Sequence, residues 1–204
     1  MKSSEAWKDF EEVKRLNLQL VKFENMQQKT AVLLLVRVTE LCSETMLLVN
    51  QGCICSAPII LRSALESYID MRCVIKSERH LDEMRGSFQG YQSKKEGKKR
   101  NLQPMSIESK FKFAGKLEAY RGIYADLCLS AHGSIAIAVA DHAAGNDVSV
   151  GHEADPVRKR LYLNHIIFLA STALIECLTF LGFIDSQEEG LIKIKQNAEQ
   201  GLYE

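Results

Sequence analysis

A chain of 204 residues, 46% hydrophobic and 25% charged, has the size and make-up of one ordinary globular domain with room for a real core. Its 26 Lys and Arg balance 26 Asp and Glu, which excludes a surface coated in positive charge for duplex nucleic acid and leaves only local basic sites. With 3 Pro, 12 Gly and 7% aromatics, the composition favours helices over a strand-and-turn architecture.

Apolar residues at three- and four-residue steps (Trp7, Phe10, Val13, Leu16, Leu20, Phe23) predict a charged first helix over 4–26. A more apolar helix follows over 29–50, and Gly52 breaks it. Ser56-Ala57-Pro58 starts a third helix over 58–77, because proline is tolerated in a first turn. A polar helical segment over 79–93 leads into the basic, glycine-broken loop Lys94-Lys95-Glu96-Gly97-Lys98-Lys99-Arg100, extended to Pro104. Ser106 caps a helix over 107–130. Residues 133–151 read mostly as loop, with a short strand or a packed helical turn as alternatives for the segment IAIAVA. Asp155-Pro156 opens a long helix to Phe183, and Ser186 with Glu188 and Glu189 opens a short last one. No repeat or linker divides the chain. The expected fold is all-α, a single-domain bundle of five to seven helices over 1–204.

The charged N-terminus MKSSEAWKDFEE is no signal peptide, and Cys42, Cys53, Cys55, Cys73, Cys128 and Cys177 read as reduced cysteines of a cytoplasmic protein. Residues 31–50 and 161–184 are apolar enough to invite a membrane reading. Arg37, Glu40 and Glu44 in one, and Asn164, His165 and Glu176 in the other, suit central helices of a bundle better. Cys53-x-Cys55 lacks metal-ligand spacing. His142 and His152 beside Asp141, Asp147, Glu153 and Asp155 show no repeated spacing, so no metal and no cofactor is assigned. There is no phosphate-cradling glycine loop.

Two places carry candidate chemistry. In the third helix Leu61, Leu65, Tyr68 and Ile75, with Ala64 and Met71 beside them, form the main core stripe. A second stripe, Ile59, Arg62, Glu66, Ile69 and Cys73, holds two charges four residues apart and therefore adjacent. An ion pair inside an apolar stripe is costly to bury and adds little stability. It is either a tie to a neighbouring helix or a polar wall facing a cleft. The second place is Leu129-Ser130-Ala131-His132-Gly133-Ser134. On an unbroken helix Glu118, Arg121, Ala125, Cys128 and His132 share one side. His132 has three open roles there: a core filler, a cation at a helix C-terminus, or a catalytic group.

Pro58-x3-Arg62-x3-Glu66, followed by Tyr124-x5-Ser130-x-His132, resembles a family of uncharacterised bacterial helical proteins with R-x3-E and later Y-x-x-L-S-x-x-H-like motifs. That family looks related to the HEPN superfamily (higher eukaryotes and prokaryotes nucleotide-binding). The resemblance covers Leu48 to Ser134. It implies a dimeric, metal-independent endoribonuclease, a toxin or phage-defence effector, with RNA and an antitoxin or defence-system protein as partners. The superfamily's R-x4-6-H motif is absent at His132, whose nearest upstream arginine is Arg121. Arg158-x6-His165 satisfies the spacing formally and is a reserve site. The resemblance therefore assigns Arg62, Glu66, Tyr124 and His132 to the site. His132 would act as base or acid, Arg62 would hold a phosphate, Glu66 would orient it, and Tyr124 would donate a hydrogen bond. Lys94, Lys95, Lys98, Lys99 and Arg100 either steer an RNA backbone or form a solvated loop. The competing expectation is a non-catalytic helical module that binds a protein partner or a nucleotide.

Overall fold

The computed structural model describes residues 2–84, 105–131, 143–144, 147–148, 156–183 and 188–204. Among these the chain is all-α apart from a two-residue ladder, Ala143–Ala144 against Asp147–Val148. The helices are α1 (Ser3–Leu18), α2 (Met26–Asn50), α3 (Ala57–Lys76), α4 (residues 79–84) and α5 (Ile107–Ala114). Then comes α6, which opens as Leu117–Ala119, passes a π turn at Tyr120–Tyr124 and ends as Ala125–Ala131. The last two are α7 (Pro156–Phe180) and α8 (Glu188–Glu199).

α2 and α3 are built as partners. Their buried residues recur at alternating four- and three-residue steps: Ala31, Leu35, Val38, Cys42, Thr45 and Val49 on one, Ala57, Leu61, Ala64, Tyr68 and Met71 on the other. Such seams let two helices interdigitate along their length. Gly52, at φ 81°, turns the chain between them, and the Gln27 side-chain amide at the start of α2 reaches the Val74 carbonyl near the end of α3 at 2.7 Å.

α7 is apolar on nearly every side and packs against α1, α2, α3 and α8. It is the one described helix long and apolar enough to cross a membrane by length and composition, and 72% of its most apolar window is buried within this fold. Its buried polar residue Asn164 has a structural duty. The amide donates to the Tyr203 carbonyl at 3.0 Å and accepts from the Tyr203 N–H at 3.1 Å. Arg160 adds two bonds to the Gly201 carbonyl, and Ser3 N–H closes on the Glu204 carbonyl at 3.1 Å. Both ends of the chain are thereby held against the bundle.

Three boundaries differ from the expectation. α1 ends at Leu18, so Leu20 and Phe23 are exposed rather than in the stripe. Asn25 instead caps α2 by accepting from Gln28 N–H, and a cap needs extended backbone before it. The helix expected over 107–130 is broken at Gly115. There φ is 74°, and the Lys116 N–H returns to the Phe111 carbonyl at 2.8 Å, the geometry of a glycine-terminated helix. α7 stops at Phe180, closed by Gly182 at φ 78° and a Phe183 N–H to Leu178 carbonyl bond. The described residues thus hold eight helical segments, the extra one arising at Gly115.

Candidate functional site

α3 presents its second stripe at a graded edge. Ile59 is half exposed, Arg62 and Glu66 are about a third exposed, and Ile69 and Cys73 are sealed. The pair is therefore neither locked in the core nor loose in solvent. Arg62 Nε–H donates to Glu66 Oε1 at 3.0 Å. Tyr124, arriving from α6, donates its hydroxyl to the same carboxylate oxygen at 2.7 Å. The Arg62 guanidinium lies 5.5 Å from the Tyr124 ring centroid, within cation–π range.

What holds Tyr124 there is aromatic packing around a register change. Phe111, fully buried on α5, meets Tyr124 at 5.0 Å and Tyr120 at 5.4 Å between ring centroids, and Tyr120 and Tyr124 stack at 5.4 Å. Both tyrosines lie in the π turn, which accommodates one residue more than a regular turn. Glu118 and Arg121, expected to share one side of the helix with His132, pair with each other in solvent. Ser130 bonds back to the Asp126 carbonyl, which spends its hydroxyl on its own helix.

The surroundings keep Arg62 charged and Tyr124 protonated. Burial opposes the charge on Arg62, but Tyr124 and Glu66 outweigh it and hold its pKa above the ordinary value. Burial, with the hydrogen bond to Glu66 and its charge, pushes the Tyr124 phenol well up, so it remains a donor. Among the described residues Glu66 is the one carboxylate within ion-pair distance of Arg62, and it uses the Nε edge. The Nη edge suits a planar, two-point contact with a phosphate or carboxylate.

The other assigned residues fare differently. His132 lies outside the described residues, as do Lys94, Lys95, Lys98, Lys99 and Arg100, and His142 and His152. Of the reserve pair, His165 is partly buried on α7 with its pKa held below the ordinary value by burial, which favours the neutral imidazole. Sequence reasoning missed Phe111 and Tyr120, the scaffold of Tyr124; their spacing carries no sign of a shared cluster until α5 and α6 fold back on each other.

Two further polar clusters join α3 to its neighbours. Glu176 on α7 receives the Tyr68 hydroxyl at 3.0 Å and pairs with Arg72, whose Nε–H also reaches the Ala114 carbonyl at 3.1 Å. Lys116 stands 4.0 Å from the same carboxylate. His80 is buried, its ring between Asp70 at 3.4 Å and Glu83 at 3.3 Å. The pattern around residue 80 hid this because Asp70 comes from α3, and Lys110, 2.8 Å from Asp70, comes from α5. Burial raises the Asp70 pKa, yet the bonds from His80 and Lys110 outweigh it and leave it lowered. A depressed carboxylate contributes stability above its unfolded value and loses it as pH falls through the folded one. Asp70→Asn is thus expected to cost about 1–2 kcal/mol in urea unfolding at neutral pH. The gap to wild type should close as the pH drops below about 4; a gap independent of pH would show that the carboxylate charge contributes nothing.

Residues 28–84 match a protein-family model. It is that of a family of unknown function, DUF5677. The matched segment spans α2, α3 and α4 and contains Arg62 and Glu66, and it ends before the helices that supply Phe111 and Tyr124. It covers less than half of the chain. No curated protein and no solved structure matches the sequence.

Proposed function

We propose that Arg62, Glu66 and Tyr124 form a phosphodiester-binding site, and that the protein is a HEPN-like, metal-independent endoribonuclease of the toxin or phage-defence kind. The observation that carries this reading is the convergence of Arg62 and Glu66 from α3 with Tyr124 from α6 on one carboxylate oxygen at a solvent-reachable edge. Two of these residues lie in the segment shared with the matched family.

The chemistry needs no metal. Cleavage of RNA through its own 2′-hydroxyl requires a base, an acid for the departing oxygen and positive charge at the phosphorane. Arg62 supplies the fixed planar cation. Glu66 holds it by one edge, and the Tyr124 hydroxyl, anchored on Glu66, limits how Glu66 turns. His132 is assigned as the proton-transfer group. Lys94, Lys95, Lys98, Lys99 and Arg100 are assigned to the RNA backbone. A homodimer, with an antitoxin or defence-system protein as regulator, completes the proposal, and the setting is the cytoplasm.

Expression in a bacterial host provides the test. Wild type is expected to arrest growth and fragment cellular RNA, and Arg62→Ala and His132→Ala are each expected to relieve both effects. Equal growth arrest by wild type and both variants, at equal protein levels, would overturn the nuclease reading and favour a non-catalytic helical binding module.

A further inference from the structure

The face of α3 next to the one that carries Arg62 borders a cavity of about 250 Å³ between α3, α6 and α7. His165, Phe168, Leu169 and Thr172 line it in that order, and His165 and Thr172 are seven residues apart, about 10 Å along a helix. The two ends differ in chemistry. Asp126, on α6 between Ile123 and Leu127, acts electrostatically on His165, so those two side chains lie toward the His165 end, where burial holds the histidine toward the neutral form. Tyr68 and Lys116 both approach Glu176, one turn beyond Thr172, and so stand at the Thr172 end.

The Thr172 end is polar and incomplete. Thr172 is 6% exposed, and its hydroxyl is the one buried side-chain polar atom among the described residues with no hydrogen-bond partner. An unpaired buried hydroxyl is unfavourable, and native proteins rarely keep one without a reason. The Tyr68 hydroxyl is already committed to Glu176. Lys116 is only 4.0 Å from Glu176, but Arg72 holds that carboxylate more closely. Burial and the Arg72 charge both press the Lys116 pKa down. Two cations thus share one carboxylate at this end, so the local balance favours an added negative charge.

We infer that this cavity binds a medium-chain carboxylic acid, carboxylate toward Lys116 and Thr172, chain along α7 toward His165. The volume sets the length: about 250 Å³ accommodates roughly eight groups the size of a water or a methylene. An eight-carbon acid also matches the span of about 10 Å between the polar and apolar ends. The Lys116 ammonium would donate to the carboxylate, and the Thr172 hydroxyl, shut off from the cavity in the unliganded protein, would join it by rotation about χ1. Leu61, Leu65, Phe168 and Leu169 would cover the chain.

Calorimetric titration of the full-length protein with sodium octanoate tests this, with acetate and 1-octanol as head-only and tail-only probes. Octanoate is expected to bind saturably with a Kd below about 1 mM, acetate not at all, and octanol more weakly than octanoate. Thr172→Val keeps the shape and removes a hydroxyl that has no partner, so the unliganded protein should melt no lower than wild type while octanoate binds several-fold more weakly. Lys116→Met, which keeps the apolar stem, should weaken octanoate at least tenfold and leave octanol unchanged. Absence of saturable octanoate binding to well-folded wild type would overturn the inference. So would octanol binding as tightly as octanoate, or octanoate binding that neither substitution alters.

Discussion

Phe111→Ala is expected to destabilise the protein by about 3–5 kcal/mol, the range for emptying a fully buried aromatic position. The effect should not stop at stability. Phe111 is the side chain that both Tyr120 and Tyr124 pack against, and it lies one turn before the Gly115 break that lets α6 fold back onto α3. Removing it withdraws the support of the hydroxyl on Glu66 without touching Arg62 or Glu66. Phe111→Leu refills most of the volume and should recover most of the stability, while leaving Tyr124 without its aromatic contact. Urea unfolding of the two variants, beside the Tyr124 ring signals in NMR, separates the two consequences. Full native stability in Phe111→Ala would mean that α5 does not pack as described.

The second large effect is expected at Asn164. Its side chain satisfies both the N–H and the carbonyl of Tyr203, and all three groups are buried. Asn164→Ala orphans the Tyr203 pair, and each buried unsatisfied group costs about 1–3 kcal/mol. A loss of about 2–4 kcal/mol follows if water satisfies part of the deficit. The C-terminal residues should also become protease-sensitive before the rest of the chain, because Tyr203 then loses its backbone bonds to α7 while the Arg160 bonds to Gly201 and the Ser3 bond to Glu204 stay in place. Asn164→Asp keeps the acceptor for the Tyr203 N–H but sets a buried carboxylate oxygen against the Tyr203 and Arg160 carbonyls, and at neutral pH should be no more stable than the alanine variant. An alanine variant as stable and protease-resistant as wild type would remove Asn164 from the account.

Much of this architecture is legible along the chain, because period is a local property. The seams of α2 and α3 follow from apolar spacing alone. Ser106 caps α5 by accepting from Ser109 N–H at 3.2 Å, and Pro156 opens α7. The pairing of Arg62 with Glu66 follows from a four-residue step. Other features were less accessible for reasons that differ. Gly115 was visible, but a single glycine inside a helical pattern is usually tolerated, and only the left-handed φ makes it a stop. The π turn leaves no local pattern, and its extra residue invalidates the even helical wheel on which Glu118, Arg121 and His132 share one side. Burial of His80 depends on groups from α3 and α5, and no one-dimensional pattern reports that. Tyr124 came to the site through motif resemblance rather than through periodicity. The structure supplies the physical reason: Phe111 and Tyr120 hold the ring while Glu66 accepts the hydroxyl.

These residues also explain why the Arg62–Glu66 pair is more than a helix decoration. An exposed pair four residues apart on a helix contributes about 0.3–0.5 kcal/mol. Here a third group from another helix shares the carboxylate and an aromatic face covers the guanidinium. Lysine in place of Arg62 keeps the charge but loses the planar fork, so it should not substitute in function.

The most direct test of the central claim is cleavage of end-labelled total RNA and tRNA by the purified protein in EDTA, beside Arg62→Ala, Arg62→Lys and His132→Ala. The account predicts metal-independent cleavage by wild type. It also predicts a loss of at least about a hundredfold in each variant, the scale of one proton-transfer or charge-stabilising group. Cleavage by wild type that survives all three substitutions would contradict the assignment of the site, and no cleavage by folded wild type, alone or with its regulator removed, would contradict the function.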